Sequence, residues 1–254
     1  MITHLFEWAK RKPQAPFFCV QGDKQSIEYS YRRAHIAAAA LARELERYGM
    51  TANGTLACTM YNGTELVLLS LAAAYGGYTL ALLNPRLSAD ERQLRLVELE
   101  NATGEHGMDV LTNQMVNRLL IDATGFDATG FGLLSDDAAV LTRLQVELEQ
   151  TVQRYQERFD GDNAGLVMFT SGSSGTPKAA FLTWNSLMGS AAGANEVLRY
   201  EEHGVWQMVL PLCHVGGFQI LVRTLLSGNT FIVYERYQPQ RILNDVLSFR
   251  VTHI

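Results

Sequence analysis

The segment from Thr170 to Lys178 combines residue types that suit the binding of a phosphate group. It reads Thr-Ser-Gly-Ser-Ser-Gly-Thr-Pro-Lys and directly follows the apolar run 165–169. Glycines allow backbone N–H groups to turn toward an anion, and Ser and Thr hydroxyls add further donors. The Lys178 ammonium adds a mobile positive charge suited to a phosphate or a carboxylate. We therefore predict a phosphate-binding loop rather than a flexible linker, because linkers are rarely bordered by apolar runs on both sides.

Two other kinds of glycine-rich site fit this segment less well. A Walker A loop requires Gly-x-x-x-x-Gly-Lys-Ser/Thr, whereas Gly175 and Lys178 are separated here by Thr-Pro. The run 172–175 is weakly similar to the serine site of Ser-Ser-Lys amidases. Such a hydrolase needs a second lysine well upstream, and no lysine occurs between Lys24 and Lys178. The pattern therefore favours a phosphate loop of another kind.

The histidines and cysteines show no pattern typical of a metal site. The three cysteines, Cys19, Cys58 and Cys213, lie far apart, without a CxxC pair or a nearby His at zinc-ligand spacing. Five histidines also lack mutual metal-ligand spacing, namely His4, His35, His106, His203 and His253. We predict no metal bound by side chains, three reduced buried thiols, and structural roles for these five histidines.

Composition and charge narrow the classes of partner. The chain has 254 residues, of which 47% are hydrophobic and 19% charged, as in ordinary globular proteins. The formal net charge of −5 gives no support for a nucleic-acid or membrane partner. The first residues lack the features of a signal peptide, and the apolar stretch 66–75 is too short to span a bilayer. We predict a cytoplasmic protein, and a homo-oligomer is compatible with the sequence.

Alternating helix and strand patterns predict the elements that position the phosphate loop. Ser30 and Ser88 have the type and position of helix N-caps, the second with Glu91 at capping-box spacing. The patterns predict a hairpin over 17–29, helices over 30–48, 63–75 and 88–100, and strands over 55–60, 78–83 and 108–112. Such alternation favours an α/β fold with layered, mostly parallel sheets and helices on both faces.

The middle of the chain carries weaker patterns than its flanks. Residues 121–137 are rich in Gly, Asp and Thr and are predicted to form a loop, and residues 138–159 a solvated helix without a clean apolar stripe. Beyond residue 159 we predict helices over 185–198, 218–226 and 240–249 and a loop over 211–217. We predict strands over 165–169, 206–210 and 230–234, and the start of a further strand over 251–254. We expect two α/β subdomains, residues 1–160 and 161–254.

The segment 170–178 resembles the signature loop of the adenylate-forming superfamily, which includes acyl-CoA synthetases, luciferases and peptide-synthetase adenylation domains. That loop reads roughly Thr-Ser-Gly-Ser/Thr-Thr-Gly-x-Pro-Lys-Gly; here Ser174 replaces the commoner Thr and Ala179 the usual Gly. Further stretches resemble the same family in order, namely 29–31, 83–88, 210–217 and 251–254. The resemblance covers nearly the whole chain and is weakest over 113–160. From 210 to 254 the chain resembles in particular the o-succinylbenzoate–CoA ligases of menaquinone synthesis.

The resemblance implies a reaction and a set of site residues. A carboxylate would attack the α-phosphate of ATP, and coenzyme A would then displace AMP, with Mg²⁺ bridging the phosphates. The leaving phosphates would be bound by Thr170, Ser171, Gly172, Ser173, Ser174, Gly175 and Lys178. The acyl pocket would be shaped by His214, Gly216, Gly217 and Phe218. Lys178 and His214 are thus the expected catalytic residues, although a carboxylate needs no general base at neutral pH.

Arg223 is a further candidate for binding the acid. o-Succinylbenzoate has two carboxylates, and the one that is not activated needs a cationic or strongly donating partner. Arg223 follows Gly216 by seven residues, about two helical turns, and therefore lies on the same helix face. Its neighbours are apolar, so the alternative is a cation that reaches the surface or forms a structural ion pair.

Motifs that the family carries farther along have no match in this chain. These are the Tyr-Gly-x-Thr-Glu element, the ribose-binding Asp and the lysine of the small C-terminal domain. We therefore expect the 254 residues alone to be inactive, with the small C-terminal domain absent. A fatty-acid or aryl-CoA ligase of the same superfamily stays open as an alternative, as does a non-catalytic nucleotide-binding or scaffold fragment.

Overall fold

Helices and strands alternate along most of the chain. The computed structural model describes residues 1–22, 26–106, 109–124, 138–171, 177–200 and 203–254. The helices of this part are α1 (Ile2–Arg11), α2 (Tyr31–Arg47), α3 (Thr64–Gly76), α4 (Ala89–Thr103), α5 (Asn113–Thr124), α6 (Ala138–Arg158), α7 (Trp184–Leu198), α8 (Val215–Ser227) and α9 (Pro239–Ser248). The strands are β1 (Pro16–Gln21), β2 (Ser26–Ser30), β3 (Thr55–Thr59), β4 (Thr79–Leu83), β5 (Val110–Leu111), β6 (Ala164–Ser171), β7 (Pro177–Thr183), β8 (Val205–Met208) and β9 (Thr230–Tyr234).

Two sheets, each mostly parallel, organise these elements. In the five-stranded sheet the order is β5-β3-β4-β6-β7; the first four strands run parallel, and β7 pairs antiparallel with β6. In the four-stranded sheet the order is β2-β1-β9-β8, with β1, β9 and β8 parallel and β2 antiparallel to β1. The predicted α/β class with layered, mostly parallel sheets is confirmed.

Both sheets combine strands from distant parts of the sequence. In the four-stranded sheet Phe18 of β1 lies opposite Phe231 of β9, and in the five-stranded sheet Leu80 of β4 lies opposite Leu166 of β6. Each sheet therefore draws strands from both sides of residue 160. The division into residues 1–160 and 161–254 stays a prediction about subdomains, and it does not follow the boundary between the two sheets.

Two buried helices form the centre of the main core. Every residue of α3 from Thr64 to Tyr75 is buried, as expected for a helix that is apolar all round. In α2 the small side chains of Ala37–Ala40 are 0–1% exposed, which lets neighbouring helices approach closely. Ser70 satisfies its buried hydroxyl within α3 by donating to the Leu66 carbonyl at 2.7 Å. The predicted helix start at Ser30 is confirmed, since its Oγ accepts from Arg33 N.

Several local predictions are wrong. The predicted loop over 121–137 begins inside α5, because the apolar residues Val116, Leu119, Leu120 and Ala123 bury one helical face; residues 125–137 lie outside the described residues. Helix α6 does carry an apolar stripe, since Leu144, Leu148, Val152 and Tyr155 are buried. The loop predicted over 211–217 ends at His214, and α8 already includes Gly216 and Gly217. The short strand predicted over 108–112 is reduced to Val110–Leu111, and Met108 lies outside the described residues.

His35 makes stability depend on pH. Burial, followed by the nearby Lys10 charge, lowers the pKa of His35 from 6.5 to about 4, and its Nδ1 lies 2.6 Å from the Tyr75 hydroxyl. Between these two pH values the unfolded chain binds the proton more tightly than the folded chain. We therefore expect the free energy of unfolding to fall by roughly 3 kcal/mol as the pH drops from above 6.5 to below 4.

The variant His35→Gln isolates this contribution. Carboxylates titrate in both proteins, so their contributions cancel in the difference between the two free energies of unfolding. On acidification the stability of the wild type should therefore fall relative to that of the variant. The measurement is urea unfolding at a series of pH values from 7 down to 4. Parallel stability curves for the two proteins would contradict the assignment.

Candidate active site

The carboxyl ends of strands from both sheets border a cavity of about 960 Å³. The chain segments after β3, β4, β8 and β9 contribute most of its lining. The lining includes Tyr61, Asn62, Asn84, Arg86, Cys213, His214 and Tyr234. Parallel α/β sheets commonly bind ligands outside the carboxyl ends of their strands, where backbone groups and loop side chains converge. The cavity therefore has the position expected of a substrate site.

Asn62 fixes the loop between β8 and α8. Its Oδ1 accepts a hydrogen bond from Leu212 N at 2.9 Å, and its Nδ2 donates to the Leu210 carbonyl at 3.5 Å. Both ends of the amide thus hold the 210–214 loop against the end of β3. This contact links the two sheets across the cavity and fixes the backbone that leads to His214.

Asn113 links two further parts of the lining. Its Oδ1 accepts from Tyr61 N at 3.1 Å, and its Nδ2 donates to Glu65 Oε2 at 3.2 Å. Glu65 is 7% exposed and lies in the first turn of α3, where a negative charge is favourable. The loop after β3, the start of α3 and the start of α5 are therefore held together at the cavity.

His214 stands at the start of α8 and lines the cavity. Its backbone is extended, with φ −115° and ψ 142°, and its N–H donates to the Pro211 carbonyl at 3.0 Å. The side chain forms no cap hydrogen bond and is exposed. The imidazole is therefore available to a ligand in the cavity, which is the arrangement that a pocket-lining role requires.

Arg86 and Cys213 lie in the same lining. An Asn84 turn positions Arg86, because Asn84 Oδ1 accepts from Arg86 N at 2.9 Å. Burial raises the pKa of the Cys213 thiol, although the Arg86 charge acts in the opposite direction. Cys19 and Cys58 are buried as predicted, but Cys213 is only half-buried because it faces the cavity.

A buried polar cluster supports the end of β9 beneath the cavity. The Tyr234 hydroxyl donates to Asp245 Oδ2 at 3.1 Å and accepts from Gln207 Nε2 at 2.8 Å. Gln207 Nε2 also donates to the Ile242 carbonyl at 2.8 Å. Burial, followed by the Asp245 charge, raises the pKa of Tyr234, so the phenol stays protonated. The cluster joins β8, β9 and α9 and fixes the aromatic ring in the cavity lining.

The predicted phosphate loop connects β6 and β7 as an antiparallel hairpin. Thr170 lies opposite Lys178, and Ser171 opposite Pro177. Thr170 and Lys178 are exposed, and Thr170 Oγ1 donates to the Lys178 carbonyl at 3.5 Å. The predicted residues Gly172, Ser173, Ser174 and Gly175 lie outside the described residues. Because β6 is the parallel neighbour of β4, the carboxyl end of β6 lies at the same sheet edge as Asn84.

The other predicted acid-binding residues lie farther from the cavity lining. Gly216 and Gly217 occupy the first turn of α8, and Phe218 is 0% exposed. None of the three is in the lining of the cavity, and their role in shaping an acyl pocket stays a prediction. The Arg223 guanidinium lies over the Trp206 ring, at 5.7 Å from its centroid. Its distance of about two turns from Gly216 places it roughly 10 Å along the helix axis, away from the cavity end. Arg223 as a substrate contact stays a prediction, and this packing favours the structural alternative.

Two classes of feature are absent from the described part of the chain. It contains no group of three or more His, Cys, Asp or Glu residues arranged to hold a metal ion. Among its helices, none combines the length and apolar character needed to cross a membrane.

Sequence reasoning missed the two asparagines that build the cavity. Asn62 follows β3 and Asn113 follows β5, each directly beyond the carboxyl end of a parallel strand. Their positions in the sequence could have predicted a place at the cavity, because polar residues beyond the carboxyl ends of parallel strands converge at one edge of the sheet. The Tyr234 cluster was harder to predict from the sequence, since it depends on the pairing of β8 with β9 and on the packing of α9 against them.

Known proteins match this chain along nearly its full length. Residues 5–254 match the family of AMP-binding enzymes. The 2-succinylbenzoate–CoA ligases of Staphylococcus aureus strains JH9 and MSSA476 are each 26% identical over 232 residues, covering 89% of this chain and 46% of theirs. The chain thus spans about half the length of these curated relatives.

Solved structures share the fold. The O-succinylbenzoate coenzyme A synthetase (MenE) of Bacillus subtilis, in complex with ATP and magnesium ion, superposes with a TM-score of 0.74 at 20% identity, over 99% of this chain and 62% of that one. The N-terminal domain of FACL13 from Mycobacterium tuberculosis gives a TM-score of 0.76 at 17% identity, over 98% and 61%. With the family match extending over residues 5–254, the chain belongs to the AMP-binding enzyme family.

Proposed function

We propose that this chain forms the acid-binding and phosphate-binding part of an ATP-dependent, AMP-forming acyl-CoA ligase. The observation that carries the proposal is the shared sheet edge. The cavity with His214 and the hairpin with Lys178 both lie at the carboxyl ends of the parallel strands. An acid in the cavity and a triphosphate at the hairpin would therefore meet at that edge.

The proposed chemistry depends on positioning and charge. A carboxylate oxygen attacks the α-phosphorus of ATP, pyrophosphate leaves, and the thiol of coenzyme A then displaces AMP from the acyl-adenylate. Lys178 stabilises charge on the leaving phosphates, together with the Ser, Thr and backbone donors of the 170–175 segment. His214 packs against the acid. Mg²⁺ would take its ligands mainly from the phosphates.

The proposed acid is o-succinylbenzoate, and its use would place the enzyme in menaquinone synthesis. This finer proposal is supported by the names of the relatives that match 89% of the chain. The cavity of about 960 Å³ offers ample room for an aryl acid with a succinyl side chain. The second carboxylate needs a partner; Arg223 is the candidate from the sequence, and Arg86 is one of two arginines in the cavity lining, the other being Arg236.

Pyrophosphate release across a panel of acids tests the proposal. A polypeptide that spans the relatives' full length should release pyrophosphate with ATP, Mg²⁺ and o-succinylbenzoate. It should do so at least about tenfold less efficiently with benzoate or a fatty acid, since these lack the second carboxylate. The 254-residue chain alone should give no turnover. Preference for a fatty or simple aryl acid would reassign the substrate, and release independent of any acid would contradict the proposed reaction.

Two matched variants assign the second carboxylate. Arg86→Met and Arg223→Met each remove one guanidinium while keeping a long side chain. The variant that removes the contact should raise KM for o-succinylbenzoate by about tenfold or more, with KM for ATP nearly unchanged. If neither variant raises KM for the acid, both arginines are excluded as its partners.

A further inference from the structure

A second cavity lies between α1, α2 and α6. Its volume is about 510 Å³, and its lining shares no residue with the first cavity. The apolar part of the lining consists of Phe6, Ala9, Pro13, Val146 and Val152. The polar part consists of Lys10, Arg32, His35, Thr142, Gln145 and Glu149. None of these residues takes part in the proposed ligase chemistry.

The lining carries two cations that lack ion-pair partners in the described part of the chain. Lys10 Nζ lies 3.9 Å from the centroid of the Phe6 ring, with no carboxylate within ion-pair distance. Arg32 donates from one terminal nitrogen to Thr142 Oγ1 at 3.0 Å, while its Nε is buried and has no hydrogen-bond partner. Among the described residues of the lining Glu149 is the one carboxylate, and it is exposed. The charges of these described residues are therefore net positive.

A buried histidine closes the inner end of the cavity. His35 is 5% exposed, and its Nδ1 is 2.6 Å from the Tyr75 hydroxyl. The one hydrogen bond of the ring to another described residue is that of Nδ1, so Nε2 is left without a partner among them. Buried polar groups in proteins are normally hydrogen-bonded. The unpaired nitrogen of the buried His35 therefore indicates a polar ligand atom at the inner end of the cavity, where the Lys10 charge is also felt.

We propose that this cavity binds a small organic carboxylate with an apolar body. The carboxylate meets Lys10 and Arg32, where charge-assisted hydrogen bonds form, and His35 adds a polar contact at the inner end. The apolar body packs against Phe6, Val146 and Val152. A volume of about 510 Å³ is within the range of small-molecule sites and suits a single aromatic ring or short alkyl chain. Inorganic phosphate fits less well, because it leaves the apolar lining without a partner.

Benzoate is the probe, and binding is measured by calorimetry and by NMR shifts of the α1 and α6 amides. The 254-residue chain should bind benzoate with Kd below about 1 mM. Benzyl alcohol, which has the same ring without the charge, and inorganic phosphate, which has the charge without the ring, should each bind at least about tenfold more weakly.

The variants Lys10→Met and Arg11→Met form a matched pair. Both remove one positive charge from α1, but only Lys10 lines the cavity. Lys10→Met should weaken benzoate binding about tenfold or more, so that the shifts in α1 and α6 need correspondingly more benzoate. Arg11→Met, which loses an exposed contact with Glu7 at 4.0 Å and the packing of the guanidinium 5.8 Å from the centroid of the Trp8 ring, should leave both unchanged. Val146→Trp, at a position 64% exposed, should block binding while keeping all charges.

Circular dichroism of each variant confirms folding before binding is compared. Benzoate bound at the first cavity gives shifts around β3 and β8 that are insensitive to Lys10→Met and does not count toward this site. The proposal is overturned if α1 and α6 show no saturable shifts. Equal weakening by Lys10→Met and Arg11→Met, or equal binding of phosphate and benzoate, would also overturn it.

Discussion

Lys178→Ala should slow acyl-adenylate formation by roughly 10²–10³-fold, the effect of losing one preorganised electrostatic partner of the transition state. The measurement is pyrophosphate release at saturating acid, in a polypeptide that spans the relatives' full length. Thermal stability should hardly change, because Lys178 is exposed on the hairpin and its side chain forms no ion pair within the described residues.

Two controls accompany this variant. Lys178→Arg keeps the charge with a different donor geometry and should recover part of the rate. Arg11→Ala removes an exposed cation far along the chain and should leave the rate unchanged. If Lys178→Ala loses stability and activity in parallel, the lysine has a structural role and the assignment to the leaving phosphates is wrong.

Gly217→Ala should destabilise the fold by about 2 kcal/mol or more, the scale of a steric overlap that the backbone must relieve. A Cβ at this position would meet the Pro211 carbonyl oxygen at 2.3 Å and the Leu210 carbonyl oxygen at 2.8 Å. Both contacts are with backbone atoms of the 210–214 loop, so the loop itself must move. We expect His214 to be displaced with it and acid activation to weaken as well.

Gly216→Ala is the matched control for this effect. It adds the same methyl group one residue earlier in α8, where the nearest atom is Leu210 Cδ1 at 3.0 Å. Leu210 is 49% exposed and can turn aside, and alanine is the better helix former, so stability should be unchanged or slightly higher. Urea unfolding of both variants makes the comparison. Equal stability of the two would show that the α8 start does not press on the 210–214 loop.

Local chemistry made much of the fold predictable. Ser30 and Ser88 do cap α2 and α4, and Glu91 completes the capping box with Ser88. The β6 strand was likewise visible as the apolar run 165–169. These features depend on residues within a few positions of each other, which the sequence displays directly.

Features that depend on distant pairing were not predictable in the same way. The pairing of β1 with β9 joins residues more than 200 positions apart, and nothing in either strand specifies the partner. The apolar stripe of α6 was hidden because charged residues separate Leu144, Leu148 and Val152 in sequence, while packing against α2 buries them. The α1 helix was missed for the same reason, since its burial depends on contacts with α2, α3 and α8.

The residues of the candidate site show the same difference between local motifs and distant contacts. Lys178 and His214 could be proposed from the sequence because their neighbours form recognisable motifs, and their catalytic roles stay predictions. Asn62 could not, because its role is to hold a loop 150 positions away. For Arg223, helical periodicity gives the same face as Gly216 but takes no account of the distance along the helix axis, where each residue adds about 1.5 Å.

Transfer of isotope from the acid to AMP tests the central claim most directly. The acid is labelled with oxygen-18 in its carboxylate groups and incubated with ATP, Mg²⁺, coenzyme A and a polypeptide spanning the relatives' full length. If the carboxylate attacks the α-phosphorus and coenzyme A then displaces AMP, one labelled oxygen leaves with each AMP. Mass spectrometry should therefore find AMP with one oxygen-18 atom alongside the acyl-CoA product. Unlabelled AMP, or label in inorganic phosphate together with ADP, would contradict activation through an acyl-adenylate.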